Sequence, residues 1–506
     1  MQNADAYYLY DEAVILENLR VLAQTFPNFS FFYSAKTNPN PHILNTLIKN
    51  DCGIDAASSG EVRLAVKHGL SPEKISYSAP GKTDEDIRYA LPRSRIIADS
   101  IGELLRIDKI AGELGGKFEI GIRINPPFGM DSPFGVSSQF GIDYESLGEI
   151  PDLSNVQITS IHTHVQSQNL GWEILARYYE NVLSLARSMK KEGFAIGTVN
   201  LGSGCGIVYD EETQSPLDME ALGAAVGKLT EKYADVSRSL IIEPGRYLVG
   251  KAGVFRTRVL DKKVSRGKTY LIASGGMNGF LRPAAANIAK LYGPVNRGAE
   301  PLISCEKPCG ITVLNDSDES EVVTITGNLC SGFDVFARDI TLPKAEVGDF
   351  IEFSNAGSYA CTLSLREFAS QPKVREFFRT VDGEVLVIFK CSKSVAYRRW
   401  RRTDTRAAPE LFEPLLLLLL AFTLFLLLGS LLLVTLLVLF FSELFLLSTL
   451  VLSSFSSLLS GAQRLASKSL SCFSIFSCSF LTSVESLQYW FMARLRRFTV
   501  LYISPS

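Results

Sequence analysis

Four groups of residues in this sequence are of types and spacings that could do chemistry. The stretch FFYSAKTNPNP, Phe31 to Pro41, runs through apolar and small residues and then meets Lys36. A lysine at a strand end either points into water or points into a pocket. In a pocket beside an apolar strand it is expected to give up its proton more easily than a solvated lysine, which suits it to form a Schiff base with an aldehyde cofactor. The second group is GSGCG, with Gly202, Gly204 and Gly206 at alternate positions around Ser203. Such a loop can gather backbone N–H groups around a phosphate. The pattern G-x-G-x-x-G would need a glycine where Ile207 stands, so one phosphate fits better than a dinucleotide. The third is Glu243 in EPGR, between the apolar run LII and a proline turn. It reads either as a helix cap or as the partner of a protonated ring nitrogen. The fourth is IHTHV, which places His162 and His164 on one side of a strand. With four histidines in the chain and no third ligand near, a flat imidazole laid against a flat ring explains His164 without a metal.

These residues need elements to hold them. From about 28 to 250 short apolar runs alternate with amphipathic stretches at helical spacing: FSFFYSAK then NPHILNTLIKN, CGIDAAS then SGEVRLAVKHG, ISYSAP then TDEDIRYAL, RIIADS then IGELLRIDKIAGEL. Eight such βα units predict a closed (β/α)8 barrel of the α/β class. Lys36, Asp55, His164, the LGSGCG loop and EPGR with Gly245 and Arg246 then fall at strand C-terminal ends, where one mouth collects them. After Gly250 the texture changes to β-branched runs linked by RG, ND and DG turns, which predicts a mainly antiparallel β domain. The domain boundaries are 26–250 for the barrel and 251–400 for the β domain, with 1–25 contributing to the second through YYLYDEAV.

Composition narrows the partners. Lys+Arg is 51 and Asp+Glu 53, a net charge of -2 over 506 residues, which provides no positive field for nucleic acid. The nine cysteines are scattered, as suits reduced thiols in a cytosol, and Cys305 with Cys309 lacks the ligands to complete a zinc site. The N-terminus has no secretory pattern. Residues 410–506 differ in kind: 415–442 are 28 residues without a charge, and 444–463 a further 20 interrupted by serines. At 1.5 Å per residue the first could cross roughly 30 Å of hydrocarbon. The tail reads either as a membrane anchor at 415–463 or as a translated segment foreign to the protein, in which case the chain is cytoplasmic.

Taken together, the motifs resemble those of the fold-type III pyridoxal-phosphate decarboxylases, the diaminopimelate, ornithine and arginine decarboxylase group. YSAKTNPNP resembles the Schiff-base lysine motif, GIDAASSGE the Asp-x-x-Ser-x-Gly-Glu segment, and HTHVQSQ the His-x-His-x-Gly-Ser-Gln segment. LGSGCGIVY stands in place of the triple-glycine phosphate loop, and EPGRYLVG matches without change. GGMNGFLRPA, GNLCSGFDVF and VGDFIEFSNAGSYA follow in the family's order, so that the likeness covers about residues 7–400.

The resemblance implies pyridoxal 5'-phosphate held by Lys36, with His164 stacked on its ring and Glu243 on the ring nitrogen. Asp55 joins the cofactor set, and the phosphate falls to Gly202, Ser203, Gly204, Gly206, Gly245, Arg246 and Tyr359. It implies a homodimer with shared active sites, Cys330 entering from the second subunit to reprotonate Cα. It assigns Arg282, Ser331, Asp334 and Tyr359 to the substrate. Ser331 stands where amine-recognising members carry an acidic residue after the cysteine, and a hydroxyl cannot neutralise a distal ammonium. Arg282 is expected to receive a carboxylate, and an acidic residue elsewhere, such as Asp334 or one on a flexible loop, could replace the missing acid. The expected reaction is decarboxylation of diaminopimelate or of an acylated or carboxylated diamino acid. An ornithine, lysine or arginine decarboxylase, a racemase-like enzyme and a non-catalytic relative are the alternatives.

Overall fold

The computed structural model describes residues 4–291 and 307–387. Cys305 and the 410–506 tail, with its anchor reading, lie outside the described residues, and among those described no helix is long and apolar enough to cross a membrane.

The chain opens with β1 (Ala6–Asp11), followed by α1 (Glu12–Thr25), whose first turn is capped by the Asp11 carboxylate on Ala13 N–H. The βα alternation then runs β2 (Phe29–Ser34), α2 (Pro41–Lys49), β3 (Gly53–Ala56), α3 (Ser59–Lys67), β4 (Ile75–Ser78), α4 (Asp84–Ala90), β5 (Arg95–Ala98) and α5 (Ile101–Glu113). It continues through β6 (Phe118–Asn125), the short β7 (Ile142–Asp143), β8 (Val156–His162), α6 (Trp172–Lys191), β9 (Thr198–Asn200), α7 (Met219–Lys232) and β10 (Ser239–Ile242). All pairs are parallel, and the order β2-β3-β4-β5-β6-β8-β9-β10 returns to β2, closing eight strands into a barrel with β7 paired outside the ring on β6. The strands are short and wholly or largely buried, as parallel strands covered by helices on one side and packed inward on the other must be. The helices turn one stripe inward; α6 buries Leu175, Tyr178, Tyr179, Val182 and Ala186 and ends on Lys190 and Lys191, which suit a helix C-terminus.

After the single turn α8 (Arg246–Val249) comes the β domain: β11 (Gly253–Ser265), β12 (Lys268–Ala273), α9 (Leu281–Leu291), β13 (Ile311–Val313), β14 (Ser320–Thr326), β15 (Val335–Pro343), β16 (Phe350–Phe353), β17 (Arg375–Arg379) and β18 (Val385–Val387). Its sheet runs β15-β14-β12-β11-β1-β17-β18, with β16 joined to β11 and β13 to β16. Pairing is antiparallel except for β12–β14 and β1–β17. Arg266 and Gly267 at φ 50° and 79° form the tight turn between β11 and β12 that the RG dipeptide predicts. The first 25 residues divide differently from expectation. Only β1 joins the β domain, whereas α1 packs on α2, α7 and α8 and belongs to the barrel, because its buried face of Ile15, Leu19 and Leu22 needs the barrel's helices to cover it.

One seam between the two domains runs along the loop 354–359 that follows β16. Tyr359 N–H donates to Thr37 O at 3.0 Å, Asn38 Nδ2 to Gly357 O at 2.9 Å and Asn355 Nδ2 to Val208 O at 3.2 Å. The approach is so close that a Cβ on Gly357 would lie 1.6 Å from Val249 O, and only glycine can stand there.

Candidate active site

At the C-terminal mouth of the barrel lies a cavity of about 270 Å³. Strand pairing fixes its floor. In-register pairing sets Asp55 on β3 beside Ser34 on β2, whose hydroxyl donates to Asp55 Oδ2 at 2.7 Å. Lys36 follows in the one-turn helix after β2 and lines the cavity. Glu243 follows β10; it accepts from Asn200 Nδ2, at the end of β9, at 2.6 Å and lies 3.1 Å from His162 Nε2, at the end of β8.

The electrostatics correct the expectation for Lys36. Burial alone would favour loss of its proton, but Asp55, Tyr359 and Glu243 outweigh burial and hold the ammonium above its ordinary value. The strand is apolar, yet the pocket that it opens into is acidic. Burial and then Glu243 push the Asp55 carboxyl up to about 7, against the opposing pull of Lys36 and Ser34. Burial would also raise Glu243, but His162, Asn200 and Lys36 reverse it and keep the carboxylate ionised well into acid. Burial, with Lys36, Arg123 and His162 near, lowers His164 to about 3, so its ring is a neutral face at ordinary pH.

The phosphate-type corner is built by the glycine loop, Arg246 and Tyr359. Gly202 has φ 64°, and a Cβ there would come within 2.7 Å of His164 Nδ1, so the glycine makes room for the imidazole as well as turning the chain. Ser203 and Gly204 line the cavity, while Gly206 sits behind it, donating its N–H to Asn169 O at 2.9 Å. Arg246 is 4% exposed, donates to Tyr209 Oη at 2.5 Å and faces the Tyr359 ring at 4.9 Å; its buried Nε has no partner among the described residues. Tyr359 reaches in from the β domain with φ 52°, a strained setting for a tyrosine that the Thr37 hydrogen bond holds.

Of the expected site residues, Lys36, Asp55, His164, Ser203, Gly204, Glu243, Gly245, Arg246 and Tyr359 line this one cavity. Four others do not. Cys330 is exposed on the β domain and Ser331 is beside it. Asp334 cannot serve as the spare acid: it is 2% exposed, and its oxygens accept from Met277 N–H at 2.7 Å and Leu329 N–H at 2.9 Å, pinning the 327–334 loop. Arg282 is 1% exposed and engaged with the domain seam, donating to Asn355 O at 2.7 Å and to Ser358 O, with its guanidinium 5.1 Å from the centre of the Tyr209 ring. It therefore holds the loop that carries Tyr359 and offers no free fork to a substrate carboxylate. Burial raises Tyr209, but Arg282 and Arg246 outweigh it and lower the phenol.

Sequence reasoning missed Arg123 and Ser78, which also line the cavity. Arg123 donates from Nη2 to His164 O at 3.1 Å and lies over the Phe140 ring at 4.5 Å. The signal was a lone arginine inside the apolar strand EIGIRIN, which a buried strand does not hold without a partner. Ser78 ends a strand and carried no signal of its own.

The pyridoxal-binding-domain family of pyridoxal-dependent decarboxylases matches residues 12–250. Diaminopimelate decarboxylase of Methanothermobacter thermautotrophicus is 31% identical over 409 residues, 76% of this chain and 90% of the relative. L-glutamyl-[BtrI acyl-carrier protein] decarboxylase of Niallia circulans is 31% identical over 390 residues, 74% of this chain and 88% of the relative. The crystal structure of diaminopimelate decarboxylase from Helicobacter pylori complexed with L-lysine superposes with a TM-score of 0.65 at 27% identity, covering 76% of this chain and 93% of the other. The cavity fits the pyridoxal cofactor that the family is described by: an ammonium for an aldehyde, a carboxylate for a ring nitrogen, a neutral imidazole face, and a glycine loop with an arginine nitrogen unpartnered among the described residues for a phosphate. Its sequence likeness, fold and cavity make the chain a member of the fold-type III pyridoxal-phosphate-dependent decarboxylases, an amino-acid carboxy-lyase that uses pyridoxal 5'-phosphate.

Proposed function

We propose that the enzyme removes the α-carboxylate of an amino acid whose far end is acylated or otherwise bears no free ammonium. The observation that carries this is the 327–334 loop. Ser331 follows the cysteine, and the nearby carboxylate of Asp334 is engaged by two main-chain N–H groups. A distal ammonium brought there would meet no free carboxylate, and burying that charge unpaired costs several kcal/mol. The Niallia circulans relative, named for an L-glutamyl group carried on a protein, favours the same class. Diaminopimelate is the second reading, favoured by the Methanothermobacter and Helicobacter relatives.

When bound, the cofactor supplies an electron sink for cleavage at Cα. In this proposal Lys36 receives the aldehyde and Glu243 pairs the ring nitrogen. His164 covers one face of the ring, while the 202–206 loop, Arg246 and Tyr359 take the phosphate. Cys330 returns the proton to Cα in a homodimer: it is exposed and lines no part of its own chain's cavity, which suits delivery into a partner's. Steady-state kcat/KM across Nδ-acetylornithine, Nε-acetyllysine, diaminopimelate, ornithine, lysine and arginine tests the substrate class. The acylated compounds should lead, and ornithine or lysine turned over best would overturn the reading.

A further inference from the structure

The first histidine of HTH stands beside Glu243 and is held from two sides. His162 is 2% exposed at the end of β8. Its Nδ1 lies 3.1 Å from Ser78 Oγ at the end of β4, and its Nε2 lies 3.1 Å from Glu243 Oε2 after β10. The second contact is close enough for an ion pair but is not aligned as a hydrogen bond, so Nε2 has no other partner among the described residues. Asn200 Nδ2 holds the other carboxylate oxygen at 2.6 Å. Ser78 at the end of β4, His162 at the end of β8, Glu243 after β10 and Asn200 at the end of β9 thus form one chain across the inside of the barrel, with the Glu243 carboxylate between His162 and Asn200.

We infer that His162 is a positioning residue that keeps Glu243 ionised and aimed at the cofactor's ring nitrogen. The argument is one of charge and direction. Glu243 is 8% exposed, and a carboxylate that deep in a barrel is stable as an anion only if donors surround it. Asn200 serves one oxygen, and its amide reaches no further. His162 is the group that stands at the other, and Ser78 sets the tautomer: with the hydroxyl serving Nδ1, the ring proton is left on Nε2, 3.1 Å from the carboxylate. The remaining charged groups around Glu243 are Lys36, Asp55 and Arg123, all lining the cavity and none in direct contact with Oε2. Without His162, Asp55 and Glu243 would face each other as buried carboxylates, and Glu243 would take up a proton, which a ring nitrogen needs it not to hold.

The inference rests on the pairing of Glu243 with the ring nitrogen, and the test separates the two. The full-length protein is stripped of cofactor with hydroxylamine, and dissociation constants are measured for pyridoxal phosphate and for 1-deazapyridoxal phosphate, which has C–H in place of the nitrogen. Wild type should prefer the natural cofactor, and Glu243→Gln should abolish the preference. His162→Phe, which keeps a flat ring without a donor, should reduce the preference at least tenfold while leaving affinity for the deaza compound within about threefold. Ser78→Ala, a smaller change that leaves the fold less exposed to failure, should reduce it about threefold. A preference lost in Glu243→Gln but kept in both His162→Phe and Ser78→Ala would overturn the role of His162 alone. Equal loss of both ligands in His162→Phe, with the preference intact, would make the residue merely structural and likewise overturn it. A preference unchanged in Glu243→Gln would overturn the ring-nitrogen pairing and this inference with it.

Discussion

At the barrel mouth Lys36 is answered by Asp55 and Glu243, and Glu243 by His162 and Asn200. In the 327–334 loop of the β domain the carboxylate of Asp334 is turned inward to main-chain N–H groups, and Cys330 is left exposed. The first region is complete in its electrostatics within one chain. The second is rigid in its backbone but presents reactive groups outward. Under the proposed function the difference has a meaning: the cofactor's site is gathered at the barrel mouth with Tyr359 from the β domain, whereas the proposed proton donor stands on a surface that needs a second subunit to complete it.

The sharpest test of the first region is Lys36→Ala, which should lower turnover by at least about 10³-fold, since it removes the group that receives the aldehyde. It should not unfold the protein, because the lysine fills no core position. Borohydride treatment of the wild type should leave the cofactor on a peptide containing residue 36, and a labelled peptide lacking it would break the assignment.

For the second region, Cys330→Ala should cost about 10²–10⁴-fold in kcat, the scale of a lost general acid. Mixing Cys330→Ala with Lys36→Ala chains should restore up to about a quarter of wild-type activity, because half the dimers are mixed and each holds one intact site. No recovery, with subunit exchange shown independently, would place the cysteine's site within one chain and remove the contrast between the regions.

The acidic balance of the mouth can be read without catalysis. Asp55 is raised to about 7 by burial and Glu243, from 3.8. A carboxyl raised in the folded state favours folding while protonated, below its unfolded value, and that contribution is lost as pH rises through the folded value. Asp55→Asn never ionises, so in cofactor-free protein it should gain on wild type by about 2–4 kcal/mol between pH 4 and 8, measured by urea unfolding. A difference that stays flat with pH would mean that Lys36 neutralises Asp55 fully.

The smallest effect is expected from Ser331→Glu, which should raise kcat/KM for ornithine or lysine relative to the best substrate by roughly tenfold. No change would place the substrate's far end elsewhere than the Cys330 loop.

Much of this was legible in the chain because it is local. Each barrel strand announces itself as an apolar run before a helical stripe, and the residue after the run must sit at the mouth, so Lys36, Asp55, His164 and Glu243 could be placed together before any contact was known. What the chain hides is pairing across distance. Whether Arg282 is free depends on the carbonyls of Asn355 and Ser358, and whether Asp334 is free depends on Met277 and Leu329. The charge of Lys36 depends on Asp55 and Glu243, 19 and 207 residues along. His162 has no assigned role in the sequence until Ser78 and Glu243 are seen on either side of it.

The first strand has a consequence for how the molecule comes into being. Tyr7 on β1 pairs with Arg256 on β11 and with Arg375 on β17, while the whole barrel lies between β1 and the first of these partners. During synthesis the barrel strands can emerge and close in order, but β1 must wait, its apolar Tyr8 and Leu9 uncovered, until β11 and then β17 have left the ribosome. The barrel can therefore complete its sheet long before the β domain can complete its own. The nascent chain carries an unpaired N-terminal strand through most of its elongation, a natural point of action for a chaperone.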